Sequence, residues 1–249
     1  MNSQISVLET DNIRITCYDP QHPNLVVSFD HRRLNRDGFP APMPSEFFAA
    51  NNRAFLTIHS ARNDWFLSPD LPQIKQTLFD FTERFEHIKS IGFSMGGYGA
   101  LLLSRALRTN RVLLISPQSS IFPHSAPFED RYQSEAKALN PVYDDLGQNP
   151  RRGLRGLILY DPNHRIDTAH AKRILGFYPK LTPVPMPFAG HHATTAISEA
   201  NLFSHVQQEM LRNQPRARAF LAMHKTARKT APAYQENLAA YLKQRKERK

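Results

Sequence analysis

Apolar and polar positions along the chain change period several times, and each change marks an element. After the Asp11-Asn12 turn pair, Ile13, Ile15 and Cys17 alternate with Arg14 and Thr16, the two-residue period of a strand. Leu25-Val26-Val27-Ser28-Phe29 and Ala54-Phe55-Leu56-Thr57-Ile58 are nearly continuous apolar runs, as strands buried on both faces require. From Asp70-Leu71-Pro72 the period lengthens, with Leu71, Ile74, Leu78, Phe81 and Phe85 at helical spacing behind a proline start signal. The pattern then predicts a strand over 87–93, a helix over 99–107 and a strand over 111–116. Over 117–152 the alternation lapses, and Pro141, Pro150 and the scattered Phe122, Phe128 and Tyr132 predict an excursion across the sheet. It resumes with a strand over 156–160, a helix over 168–177, a strand over 184–188 and a helix over 194–210. Strands alternating with helices predict an α/β fold, a mostly parallel central sheet with helices on both faces and a small lid or none.

The 249 residues are enough to bury one sizeable core, and Cys17, the only cysteine, excludes an intrachain disulfide and a cysteine-built zinc cluster. No apolar run approaches the length of a bilayer span, and residues 1–10 lack the basic and apolar regions of a signal peptide, so a cytoplasmic protein is expected. The formal charge is +10, but residues 215–249 carry ten Lys and Arg against Glu236 and Glu247. That division predicts a body over 1–214 and a basic helical tail over 215–249. In the tail Tyr234, Leu238, Tyr241 and Leu242 share a helical face. The stripe predicts docking on the body; the charge makes an anionic partner for the tail the competing expectation.

Gly92-Phe93-Ser94-Met95-Gly96 falls on the seam between a predicted buried strand and a helix. A serine hydroxyl is a poor nucleophile until it stands exposed beside a base, and a sharp strand-to-helix turn exposes it. Glycines two residues to either side remove the side chains that would obstruct such a turn. The same turn aims the Met95 N–H and the helix N-terminus at the space where an oxyanion would form. Together with Gly97-Tyr98-Gly99-Ala100-Leu101, this segment resembles the nucleophile elbow of α/β-hydrolase-fold serine esterases, and the order of elements fits that fold over about residues 10–212.

The resemblance implies a triad running serine, acid, histidine along the chain. For the acid, Asp161 directly follows the 156–160 strand; Asp167 is the alternate, with a helix N-cap as its competing role. For the base, Ala189-Gly190-His191-His192 follows the last strand and resembles the family's Gly-His loop, which points to His191, with His192 as alternate. The second oxyanion donor would come from Phe29-Asp30-His31-Arg32-Arg33, through the backbone of Asp30 or His31, although no His-Gly or Gly-Gly pair stands there. No metal-ligand spacing, Lys-bearing phosphate loop or dinucleotide fingerprint occurs, so neither metal nor cofactor is expected. The implied reaction is hydrolysis of a carboxylic ester or thioester, on a small or polymer-attached acyl substrate, through an acyl-enzyme. The alternative is a non-catalytic binding protein of the same fold.

Overall fold

Eight strands form one sheet in the computed structural model, which describes residues 3–247. They are β1 (Gln4–Glu9), β2 (Ile13–Tyr18), β3 (Asn24–Phe29), β4 (Ala54–Ser60), β5 (His87–Phe93), β6 (Arg111–Ile115), β7 (Arg155–Tyr160) and β8 (Leu181–Pro185). Their order across the sheet is β1-β2-β4-β3-β5-β6-β7-β8. β2 runs antiparallel to both β1 and β4, and the six strands from β4 to β8 are parallel. The helices are α1 (Glu46–Ala50), α2 (Leu71–Phe81), α3 (Met95–Leu102), α4 (Gln133–Ala138), α5 (Arg165–Phe177), α6 (Thr195–Glu199), α7 (Phe203–Leu211), α8 (Ala217–Ala227) and α9 (Pro232–Glu247).

Alternate residues of the parallel strands enter two cores. Leu25, Val27, Val112, Leu114 and Ile158 face α2, α3 and α5, whereas Val26, Leu113, Ile115, Leu157 and Leu159 face α1, α6, α7 and α8. Burial on both faces explains the unbroken apolar runs. The segment read as a tail shares the second core: Phe220 and Ala227 of α8 are fully buried in it, and Tyr234 of α9 packs at its margin. The predicted docking stripe is only partly covered. Tyr241 lies 5.3 Å from the Phe188 ring yet stays 41% exposed, and Leu242 is 46% exposed.

Several boundaries differ from the periodicity. The helix expected over 99–107 begins at Met95, because the elbow serine itself is its N-cap, and it ends at Leu102 in a run of turns. The expected 194–210 helix is broken into α6 and α7 at Asn201, which takes φ +57°. β8 lies at Leu181–Pro185, three residues before the expected strand, so that Phe188 and Gly190 are free to form the histidine loop. The excursion contains the short α4, and α1 and β1 had no counterpart in the pattern: β1 is an exposed edge strand whose Gln4, Ile5 and Ser6 face solvent.

Candidate active site

Ser94 joins β5 to α3 with φ +50° and ψ −115°, a strained conformation for a residue with a side chain. The turn is held by clearances only glycine permits. A Cβ on Gly92 would stand 2.2 Å from the Gly96 carbonyl oxygen, and one on Gly96 would stand 2.6 Å from the Asp30 carbonyl oxygen. Gly96 therefore lets the loop after β3 touch the elbow. Close packing at Gly96 brings Asp30, the residue before His31, against the elbow without a glycine pair in its own loop. Among the described residues, the backbone N–H groups of Met95 and His31 meet no acceptor.

The imidazole of His191 reaches the serine: its Nε2 lies 3.0 Å from Ser94 Oγ. Its Nδ1 lies 2.8 Å from Asp167 Oδ2. With Nδ1–H donating to the carboxylate, Nε2 presents its lone pair to the hydroxyl. Asp167 stands in the first turn of α5, where the helix N-terminus favours a negative charge. Burial alone would raise its carboxyl; the hydrogen bonds and charges of His164 and His191 outweigh this and hold it well below the usual carboxylate range. Arg131 Nη1, 3.4 Å from Asp167 Oδ1, adds to that field.

Asp161, the expected acid, does not meet His191. Its Oδ1 accepts the N–H groups of Asn163 at 2.8 Å and Phe188 at 3.0 Å, and its Oδ2 accepts the Gly190 N–H at 2.8 Å. A carboxylate directly at the end of a strand is too close to the sheet to reach the imidazole, so it ties the histidine loop down instead. Asp167, six residues further on in the first turn of α5, projects to the ring. The N-cap role that had made Asp167 the alternate belongs to His164, whose Nδ1 accepts the Asp167 N–H at 3.2 Å.

The alternate base, His192, packs against Phe93 at 5.7 Å and His31 at 6.2 Å. Burial, followed by the charges of His191 and His31, lowers its pKa to about 4 and leaves it neutral at ordinary pH. Tyr132, from the excursion, brings its phenol against the Ser94 side chain and its ring to 5.0 Å from Trp65. The guanidinium groups of Arg32 and Arg131 each lie 5.2 Å from the Tyr132 ring centroid. Tyr132 and Arg131 carried no motif; only their place in an irregular, aromatic-bearing segment could have drawn attention to them.

A second array lies beneath the first. His170 Nδ1 is 2.9 Å from Ser119 Oγ and accepts the Ser119 N–H at 3.0 Å, while its Nε2 is 2.8 Å from Glu129 Oε2. Both Glu129 and His170 are closed to solvent. Burial would raise Glu129, but the hydrogen bonds of Arg131 and His170 lower it to about 2. Arg131 bridges Glu129 to Asp167 and so couples the two arrays. Among the described residues, no three histidine, cysteine or carboxylate side chains converge as a metal site, and no helix is long and apolar enough to cross a membrane.

No family model matches the sequence, and no curated protein matches it. Solved structures do share its architecture. A chain of the glycosylation-associated Gap123 complex of Streptococcus agalactiae aligns at TM-score 0.55 and 17% identity, over 84% of this chain and 46% of its own, so this chain spans about half of that one. A capsule O-acetyltransferase of Neisseria meningitidis serogroup A aligns at TM-score 0.50 and 14% identity, over 81% of this chain and 93% of its own. MGS-M1, an α/β-hydrolase enzyme from a Medee basin deep-sea metagenome library, aligns at TM-score 0.50 and 13% identity, over 85% and 96%. With its mostly parallel eight-stranded sheet and helices on both faces, the chain has the α/β-hydrolase fold.

Proposed function

We propose that the protein is a serine hydrolase that cleaves a carboxylic ester or thioester through an acyl-enzyme, with Ser94 as nucleophile, His191 as general base and Asp167 as the acid. The carrying observation is the continuous chain of hydrogen bonds from Ser94 Oγ through both nitrogens of His191 to a buried, ionised carboxylate. His191 Nε2 takes the hydroxyl proton as Oγ attacks the acyl carbonyl, and returns it to the departing alcohol or thiol. Asp167 holds the ring in the required tautomer and stabilises the imidazolium. The N–H groups of Met95 and His31 receive the oxyanion. Water, activated by the same imidazole, then releases the acyl group.

The substrate reading is a short acyl group on a small or polymeric carrier. Ser94 is only 2% exposed, and the Tyr132 phenol stands against it, which leaves little width for a long chain. The capsule O-acetyltransferase, by its name, handles an acetyl group on the same fold. The test is labelling by a fluorophosphonate probe followed by turnover of acyl esters of graded length. Wild-type protein is expected to label and to prefer acetyl over octanoyl esters, and Ser94→Ala to remain folded and unlabelled. A folded wild-type protein that never labels and hydrolyses none of the esters refutes the reading.

A further inference from the structure

The end of the sheet opposite Ser94 carries an uncompensated row of cations. Lys89, Arg111 and Arg155 are register partners on the adjacent parallel strands β5, β6 and β7, so their side chains leave the sheet on the same face. Arg53 precedes β4 and Lys180 precedes β8 at the same edge. Like charges opposite one another on neighbouring strands destabilise a sheet. Here no carboxylate lines the adjoining cavities, and among the described residues no ion pair engages these five side chains.

The cations surround space of a size to hold a ligand. A cavity of about 370 Å³ lies between the edge of the sheet and the segment joining α7 to α8, and Arg111, Arg155, Lys180, Thr182 and Gln214 line it. A second, of about 260 Å³, continues past Arg111 to Lys89 and Asn213. Lys89 is 7% exposed and is satisfied by the carbonyl oxygens of Met210 and Arg212 at the end of α7. Burial, then the charges of Arg53 and Arg111, lowers its pKa to about 8. The Nε of Arg111 is buried and has no partner, as is that of Arg53.

We propose that this cavity is an anion site for a phosphorylated small molecule, with Arg111 and Arg155 receiving the phosphate and Lys180 closing over it. Two guanidinium groups and an ammonium around one recess suit a dianion, which accepts paired N–H donors from each guanidinium and cancels their mutual repulsion. Thr182 and Gln214 supply neutral partners for the rest of the ligand. The site is roughly 15 Å from Ser94, the length of the intervening strand residues. Occupancy stabilises the folded chain by mass action and does not require the reaction at the elbow.

Thermal unfolding and calorimetry of the full chain test this, with inorganic pyrophosphate and glucose 6-phosphate as probes and sodium chloride matched in ionic strength. The expected result is a saturable rise in Tm with glucose 6-phosphate beyond that with chloride; a rise with pyrophosphate and none with glucose 6-phosphate would mean a bare anion site and overturn the proposal. The Arg111→Gln, Arg155→Gln double variant should bind at least tenfold more weakly, unfold at a higher temperature without ligand, and label at Ser94 as fast as the wild type. Lys180→Gln, at an exposed position, provides the same test should the double variant fold poorly. Equal shifts with phosphate and chloride, undiminished binding by the variants, or binding of a single-stranded oligonucleotide through these residues with no binding of either probe would overturn the proposal.

Discussion

Ser94, His191 and Asp167 at the elbow, and Ser119, His170 and Glu129 beneath the excursion, use the same three chemical groups at nearly the same spacings. The serine-to-imidazole separations are 3.0 and 2.9 Å, and the imidazole-to-carboxylate separations are both 2.8 Å. Their surroundings separate them. The nitrogen facing Ser119 already accepts that residue's own backbone N–H, so it has no lone pair free for a proton, and the His170 ring is sealed from solvent. The nitrogen facing Ser94 has the hydroxyl as its partner, the His191 side chain is 20% exposed, and a helix N-terminus opens in front of the serine. Distances among a serine, a histidine and a carboxylate therefore do not make a reactive site; an unoccupied acceptor, an approach and a place for developing charge are also needed.

The largest expected effect tests that distinction directly. Ser94→Ala should reduce ester turnover by on the order of 10⁴ to 10⁶-fold and abolish fluorophosphonate labelling, whereas Ser119→Ala should leave both within about threefold of wild type. Comparable losses in the two variants would break the comparison. The next effect separates the two aspartates. Asp167→Asn should lower kcat by about 10⁴-fold, because the imidazole loses its orienting acceptor, and should also lower stability, since Arg131 and His164 lose a buried ionised partner. Asp161→Asn should lower it only roughly tenfold to a hundredfold through displacement of the histidine loop, and should cost about 2 kcal/mol of stability in urea unfolding.

The same pair of residues shows how far the chain could be read without coordinates. The elbow was legible because its signal is local: Gly92, Ser94 and Gly96 are adjacent in sequence and their clearances are set within five residues. His191, read from its place after the last strand, is the histidine whose ring reaches Ser94. Asp167 was displaced in favour of Asp161 because the choice depends on where a side chain points in the first turn of α5, and that is fixed by the cap at His164 and by Arg131 from a distant segment. The sheet was legible in its buried runs, less so at its edge, where β1 lacks a buried face, and at Asn201, where a positive φ interrupts an otherwise helical pattern. The cation row could not be seen at all, since strand register alone aligns Lys89, Arg111 and Arg155.

A smaller effect, on stability, concerns the lower array as a support. Glu129→Gln leaves Arg131 without its principal carboxylate and should cost about 3 kcal/mol in urea unfolding, a typical result of stripping one partner from a buried ion pair. Labelling at Ser94 should persist in the folded fraction. A variant as inactive as Asp167→Asn at full stability would mean that the lower array takes part in the chemistry and is not simply a buried brace.

Acid titration separates two buried groups beside these arrays, Glu129 and His192, which lose their contributions in different pH ranges. Glu129, held down to about 2, binds protons later in the folded chain than in the unfolded one, so its contribution is complete above about 4.5 and is lost only as pH falls through about 2. His192, beside the upper array, has its folded pKa lowered from 6.5 to about 4. Between those values the unfolded chain carries a proton that the folded chain does not, so stability is complete above about pH 6.5 and declines until about pH 4. At about 1.4 kcal/mol per pH unit, this one imidazole accounts for up to about 3 kcal/mol. Urea unfolding at pH 7 and pH 4.5 should therefore show a smaller loss in His192→Gln than in the wild type, with Glu129 unchanged as a contributor over most of that interval. Equal losses in the two proteins would place the acid sensitivity elsewhere, with His170 as the group to examine, since burial lowers its pKa as well.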